Sequence, residues 1–235
     1  MFSEIISKCI LQVRKECHFF GAMMLFANIV ESKEIDTAAT DGINIFINKA
    51  FLSNLTSSEQ NGLMLHEVLH MALLHVTRRG TRDPIIWNIA ADIIVNDLII
   101  RNTPFNLPKD AIIDKSYRDC SVEHVYESLL KNNKHKKYSL SLVDILNTKI
   151  KDKKLNDLPK CSLSKSEIET YWKDKIQVLH NSDIKESGQL QGSLPGGMEA
   201  EISCVLEPEV DWRHALWKYV GRTPADFDDL DRRFI

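Results

Sequence analysis

The sequence predicts an α+β fold that is mostly helical, in which two long helices pack against a small β-hairpin or sheet. Two observations predict it. Apolar residues recur almost all round segments 56–77 and 85–101, which is typical of helices buried in a core. Within residues 34–48, β-branched residues flank Asp41 and Gly42, which is typical of a hairpin with a tight turn.

Composition limits the possible classes of protein. The chain has 235 residues, 43% of them hydrophobic, so we expect a single domain over 1–235 with its own core. The formal net charge of −3 gives no general case for nucleic-acid binding. The apolar run 19–30 is too short to span a bilayer, and Glu4 and Glu16 lie where a secretory leader would be basic. We therefore expect a cytoplasmic protein that does not bind a membrane.

Cysteine usage agrees with that compartment. The number of cysteines is odd and none forms a CxxC pair, which disfavours a disulfide framework or a cysteine-ligated zinc site. We expect buried free thiols at Cys9, Cys17, Cys120, Cys161 and Cys204.

The first part of the chain is predicted to form a helix and then a hairpin. Residues 1–30 are predicted to be helical and, after Phe19, buried. In the hairpin over 34–48, the alternation of isoleucine with other residues predicts a second strand, 43–48, with one buried face.

The two long helices carry recognisable start signals. Thr56 and Glu59 fit a capping box that opens a helix running to about residue 77. Asp83 and Pro84 fit an N-cap and a first-turn proline for the helix over 85–101.

The rest of the chain gives weaker signals. Residues 103–118 are predicted to be irregular. Residues 131–160 are rich in lysine and read as a variable, solvated segment, and residues 185–198 read as a flexible connector. Short helices are predicted over 121–130, 199–206 and 212–220.

The string His66-Glu67-x-x-His70 carries the predicted chemistry. Residues four apart share one face of a helix, so both imidazoles can reach one ion. Zinc lowers the pKa of a bound water to about 7 and polarises a carbonyl. Glu67 lies about 100° round the helix from His66, where its carboxylate can take the proton of that water as general base.

A catalytic zinc usually has a third protein ligand. In the second helix Asn88, Asp92 and Asn96 form one polar stripe, so we expect Asp92 to be this ligand and the asparagines to orient ligands. Asp97 is the reserve ligand. His75 lies nine residues after His66, about 180° away on a continuous helix, so we expect it to lie away from the ion.

Four segments also resemble a known family: NKAFLSNLTSSEQNGLMLHEVLHMALLH, RDPIIWNIAADIIVNDLI, YRDCSVEHVYESLL and PEVDWRHALWKYVGR. They resemble the metallopeptidase domain family of predicted metal-dependent peptidases, in which a von Willebrand factor A-like domain often follows. The likeness covers most of 19–130 and again about 199–235.

The resemblance implies a zincin-like fold and carries over His66, Glu67 and His70. Asp92 falls where the family resembles gluzincins in having an acidic group on the following helix. It also implies a strand that binds extended peptide by strand addition, for which 43–48 is the expected edge. A von Willebrand factor A-like domain or an ATPase is a possible partner by resemblance alone.

The leading hypothesis is thus a zinc-dependent peptidase acting on a peptide or protein substrate. The alternative is a non-catalytic metal-binding scaffold that keeps the fold. A nucleic-acid-binding role rests only on the lysines of 131–160, which lack interleaved aromatic residues, and is disfavoured. Tyr117, His124 and Tyr126 lie in the right region for an oxyanion stabiliser, but no spacing singles one out.

Overall fold

The computed structural model describes residues 2–132 and 161–187, with side chains to 181, and single positions at 138, 145, 198, 202, 203, 205 and 206. This part of the chain is mostly helical and contains a small three-stranded sheet. Its helices are α1 Phe2–Glu16, α2 His18–Met23, α3 Lys49–Asn54, α4 Ser57–Ala72, α5 His75–Arg78, α6 Pro84–Asn102, α7 Val122–Lys131 and α8 Lys165–Ser187. Its strands are β1 Asn28–Glu31, β2 Ala38–Thr40 and β3 Asn44–Ile47.

The helices α4 and α6 form the centre of the molecule. Both pack against each other and are buried on nearly every side over most of their length. Helix α1 packs on α4 and α7 packs on α6, while α8 contacts α2, α4 and α5. This arrangement explains why neither central helix has a polar face toward solvent: neighbouring elements cover each helix on most sides.

The start signals of these two helices are confirmed. The Thr56 hydroxyl accepts a hydrogen bond from the Glu59 amide, and the Glu59 carboxylate accepts one from the Thr56 amide. The Asp83 carboxylate accepts hydrogen bonds from the amides of Ile85 and Ile86, and Pro84 occupies the first turn. Both caps satisfy amides that have no partner within the helix.

The sheet has the order β1-β3-β2. Strand β2 pairs antiparallel with β3, and Gly42 in the turn between them has a φ of 98°, so the predicted hairpin is confirmed. Strand β1 pairs parallel with the other side of β3. Strand β3 is therefore central, and the expectation that 43–48 forms the edge for substrate is wrong. Since all four residues of β3 are buried, the expected single buried face is also wrong.

The N-terminal helix is shorter than predicted. Cys17 has an extended backbone (φ −144°, ψ 97°) and separates α1 from α2, and residues 28–31 form β1 instead of helix. The run 19–30 is apolar enough to form either a buried helix or a buried strand. The parallel pairing of β1 with β3, which is remote in sequence, decides for a strand.

The predicted helix over 56–77 is broken near its end. Helix α4 ends at Ala72, Leu74 adopts the left-handed conformation with φ 55° and ψ 32°, and α5 then covers His75–Arg78. The long helix α4 and the short helix α5 are therefore not collinear, although no glycine or proline lies between them.

The remaining expectations agree in part. Residues 103–118 are irregular except for one 3-10 turn, Lys115–Tyr117, and Ser121 caps α7 close to the predicted 121–130. Helix α8, which was not predicted, extends through 185–187 of the expected connector. Residues 198, 202, 203, 205 and 206 are helical, close to the predicted 199–206.

Several expectations fall outside the described residues. They concern the helix over 212–220, most of the lysine-rich segment, most of the connector, and Cys204. Cys9 and Cys17 are buried free thiols, and Cys120 and Cys161 are half-buried ones. Among the helices that the structure describes, none combines the length and the apolarity that crossing a bilayer requires.

Candidate metal centre

His66, His70 and Asp92 lie together between α4 and α6. The two histidines are one turn apart on α4, and their Nε2 atoms are 2.8 Å apart. Asp92, midway along α6, places Oδ1 at 3.3 Å from His70 Nε2 and 3.8 Å from His66 Nε2. All three residues are buried, and their ligand atoms lie within 4.8 Å of one another.

The orientation of His66 is fixed from its other ring nitrogen. His66 Nδ1 lies 2.9 Å from Asn96 Oδ1, and the Asn96 side-chain amide donates a hydrogen bond to the Ile112 carbonyl. That second bond identifies which end of the Asn96 amide is the oxygen. Because a carbonyl oxygen only accepts hydrogen bonds, His66 Nδ1 is the donor, and the lone pair of a neutral His66 ring would then be on Nε2.

Asp92 is held in a similar way. The Asn88 side-chain amide donates to Asp92 Oδ2 at 2.9 Å, while Asn88 Oδ1 accepts from the Ile145 main-chain amide at 2.9 Å. Ile145 also forms an isolated parallel bridge with Thr40 on β2. The backbone amide of Ile145 therefore sets the orientation of Asn88, which in turn leaves Asp92 Oδ1 directed at the histidines.

His70 has a third histidine behind it. Its Nδ1 lies 3.0 Å from His75 Nδ1, and both rings are buried. Burial lowers the pKa of His70 well below its usual range, and the neighbouring His66 and His75 lower it further. The pKa of His75 is likewise lowered, mainly by burial and also by Arg78 and His66. Both rings are therefore neutral near pH 7.

This arrangement fits a divalent cation. Two imidazole nitrogens and one carboxylate oxygen converge, and their separations of 2.8–3.8 Å bracket the roughly 3.3 Å expected between ligands of a tetrahedral zinc with bonds of about 2.0 Å. Three such atoms repel one another at this distance unless a cation or a shared proton lies among them. Two nitrogens with one oxygen favour zinc over magnesium or calcium, which prefer oxygen ligands.

Glu67 follows the first histidine on α4 and is completely buried. Burying a carboxylate in the core between helices costs free energy unless a charged or hydrogen-bonding partner replaces the lost water. Its position one residue after His66 gives a buried acid or base on the same turn as the metal-ligand cluster.

Asp97 and the three residues considered as oxyanion stabilisers, Tyr117, His124 and Tyr126, lie outside the His-His-Asp cluster. Asp97 forms ion pairs with Arg101 at 2.8 Å and Arg118 at 3.6 Å, so it is not needed as the reserve ligand. The hydroxyl of Tyr117 bonds to Ser128, that of Tyr126 accepts from the Asp83 amide, and His124 is exposed on α7.

A family model described as "Putative metallopeptidase domain" matches residues 2–233. The chain belongs to this family of metallopeptidase domains. The family membership agrees with the resemblance found in the sequence. It also agrees with the His-His-Asp cluster of the metallopeptidase domain, which has the composition expected of a metal centre.

The domain is also similar to an uncharacterized protein of Thermotoga maritima. The two are 22% identical over 243 residues, which cover 93% of this chain and 59% of that protein. The chain thus spans somewhat more than half the length of this relative. No solved structure matches the chain, so the zincin-like form of the fold remains a prediction.

The role of His75 is where reasoning from the sequence fell short. The break at Leu74 returns His75 to the same side as His70, so the argument from a continuous helix is wrong. His75 still lies outside the group of ligand atoms. The contributions of Ile112 and Ile145 come from backbone groups, for which no sequence signal exists.

Proposed function

We propose that this protein is a zinc-dependent peptidase in which His66, His70 and Asp92 hold the metal and Glu67 is the general base. The observation that carries the proposal is the convergence of His66 Nε2, His70 Nε2 and Asp92 Oδ1. On each of these buried side chains, the other polar atom is already hydrogen-bonded. Family membership supports the peptidase class.

Bound zinc would supply a Lewis acid that polarises the scissile carbonyl and acidifies a water molecule. The chain's own residues do the rest. His66 and His70 would each offer a ring nitrogen to the ion, and Asp92 would contribute one negative charge. The Glu67 carboxylate takes the proton of the water and passes it to the leaving amine.

The test separates metal binding from proton transfer. Zinc content is measured in the wild-type chain and in Glu67→Gln, His66→Ala and Asp92→Ala, and each is assayed for cleavage of a denatured protein substrate. We expect about one zinc per wild-type chain and its loss in His66→Ala and Asp92→Ala.

Glu67→Gln is expected to keep zinc and to lose cleavage by at least about 100-fold, because it removes the base without removing a ligand. Normal cleavage by Glu67→Gln would refute the assigned base. Zinc binding without any cleavage by the wild-type chain would favour the non-catalytic scaffold. A wild-type chain that binds no added zinc would refute the proposal as a whole.

A further inference from the structure

His75 is a buried histidine that the proposed mechanism does not use. It lies next to a metal ligand without belonging to the ligand group, because its Nδ1 faces His70 Nδ1 at 3.0 Å and not the centre of the cluster. The two rings are inclined at 67° with centroids 5.2 Å apart. This geometry is that of a hydrogen bond between two ring nitrogens.

The direction of this hydrogen bond follows from the role of His70. If Nε2 of His70 binds a cation through its lone pair, the ring is neutral and its proton is on Nδ1. Nδ1 must then donate, so His75 Nδ1 accepts and the proton of His75 is on Nε2.

The backbone conformation of Leu74 and two contacts with Trp87 hold His75 in place. Leu74 has the left-handed conformation, which costs a residue other than glycine about 1 kcal/mol, and it is this conformation that redirects the chain. The Trp87 indole donates a hydrogen bond to the His75 carbonyl at 2.8 Å. The Trp87 ring also packs edge-on against the His75 ring, with centroids 6.4 Å apart.

We infer that His75 is a positioning residue, which accepts a hydrogen bond from His70 Nδ1 and so keeps His70 Nε2 directed at the metal. The inference rests on the metal-binding part of the proposed function and does not depend on peptide cleavage. With Asn96 behind His66 and Asn88 behind Asp92, it gives each of the three ligands its own supporting residue.

The supporting residues of both histidines carry no negative charge, because Asn96 is an amide and His75 an imidazole. A carboxylate in the same position would raise the basicity of the ligand and weaken the Lewis acidity of the ion. The site therefore keeps a net charge of +1 from a divalent ion, two neutral imidazoles and one carboxylate.

The first test compares zinc affinities, measured by competition with a chromophoric chelator. His75→Leu removes the Nδ1 acceptor and fills its place with an apolar side chain. We expect the zinc affinity of this variant to be about 10–100-fold lower than that of the wild type. His75→Gln offers a carbonyl oxygen in its place and is expected to recover most of the affinity. His124→Leu, which removes an exposed histidine of α7, serves as the matched control and is expected to bind like the wild type.

Affinity of His75→Leu equal to that of the wild type would overturn the inference. Equal losses in His75→Leu and His75→Gln would overturn it too, since packing alone would then explain the effect. Absence of zinc binding in the wild type would instead refute the proposed function, so the two failures are distinguishable.

A measurement on the wild type avoids any variant that fails to fold. Long-range ¹⁵N–¹H correlation spectra of the zinc-loaded chain report which ring nitrogen carries the proton. We expect Nδ1 of His70 and Nε2 of His75 to be protonated. A proton on Nδ1 of His75, or zinc bound to Nδ1 of His70, would overturn the inference.

Discussion

Leu74 is a single residue on which the surroundings of His70 depend. Side chains with a Cβ rarely adopt its φ of 55°, so no propensity argument places a chain reversal at that position. The contacts that hold it there, such as the bond from Trp87 to the His75 carbonyl, come from α6 and are remote in sequence. Helical periodicity therefore found His66 and His70 but misplaced His75.

The buried histidines should make the stability of the metal-free chain depend on pH. His70 and His75 have pKa values well below 6.5 when folded but about 6.5 when unfolded. Below pH 6.5 the unfolded chain therefore binds more protons than the folded chain. As the pH decreases below 6.5, the free energy of unfolding should decrease by up to about 1.4 kcal/mol per pH unit for each histidine.

Urea unfolding at pH 7.5 and 5.5 with a chelator present measures this loss. His75→Gln should show a smaller loss than the wild type, because one of the two histidines is gone. His124→Gln, at an exposed position, should behave like the wild type. Equal losses in all three proteins would contradict the assignment of the effect to His75.

At the scale of elements, the sequence predicted α4, α6 and α7 closely because their signals are local. Thr56, Asp83 and Ser121 cap the helices that directly follow them. The errors concern pairings between distant segments. Which strand is central depends on β1 joining the far side of β3, and no local pattern encodes that choice.

Helix α4 approaches the loop after α6 closely at Gly62. A Cβ on Gly62 would lie 2.1 Å from the Asn106 carbonyl oxygen, which is a backbone atom. Helix propensity alone predicts that Gly62→Ala stabilises the protein by about 1 kcal/mol. We expect the opposite, a loss of about 1–3 kcal/mol, because the loop must move.

The midpoint of chemical unfolding measures this difference. Ser57→Ala, at an exposed position of the same helix, is the control and should change stability little. A stabilised Gly62→Ala variant would show that the loop yields without cost and that the close approach is not needed.

At the scale of the whole molecule, α8 joins parts of the chain that are distant in sequence. The Trp172 indole donates to the Gly42 carbonyl in the turn of the hairpin, and the Tyr171 hydroxyl donates to the Phe26 carbonyl after α2. Helix α4 is thus packed against elements from both ends of the described chain, α1 and α8.

Two cysteines offer a probe of this enclosure. Cys9 and Cys17 are almost fully buried, and burial raises the pKa of Cys9 to about 11. At pH 8 we expect iodoacetamide to modify the half-buried Cys120 first, and Cys9 and Cys17 only when the whole molecule unfolds.

Peptide mapping by mass spectrometry at increasing urea concentration tests this order. Modification of Cys9 should increase over the same urea concentrations at which the far-ultraviolet circular dichroism signal is lost. Modification of Cys9 well below the unfolding transition would instead mean that α1 detaches on its own.

The backbone anchors of the two asparagines have a consequence for metal supply. Asn96 is fixed by the Ile112 carbonyl and Asn88 by the Ile145 amide, so the ligands are held by the protein itself. If the proposed ion binds there, a site assembled in advance would lose and regain it without refolding. Which divalent ion occupies it is then decided by ligand chemistry and by cellular abundance, and copper(II) would outcompete zinc wherever both are freely available.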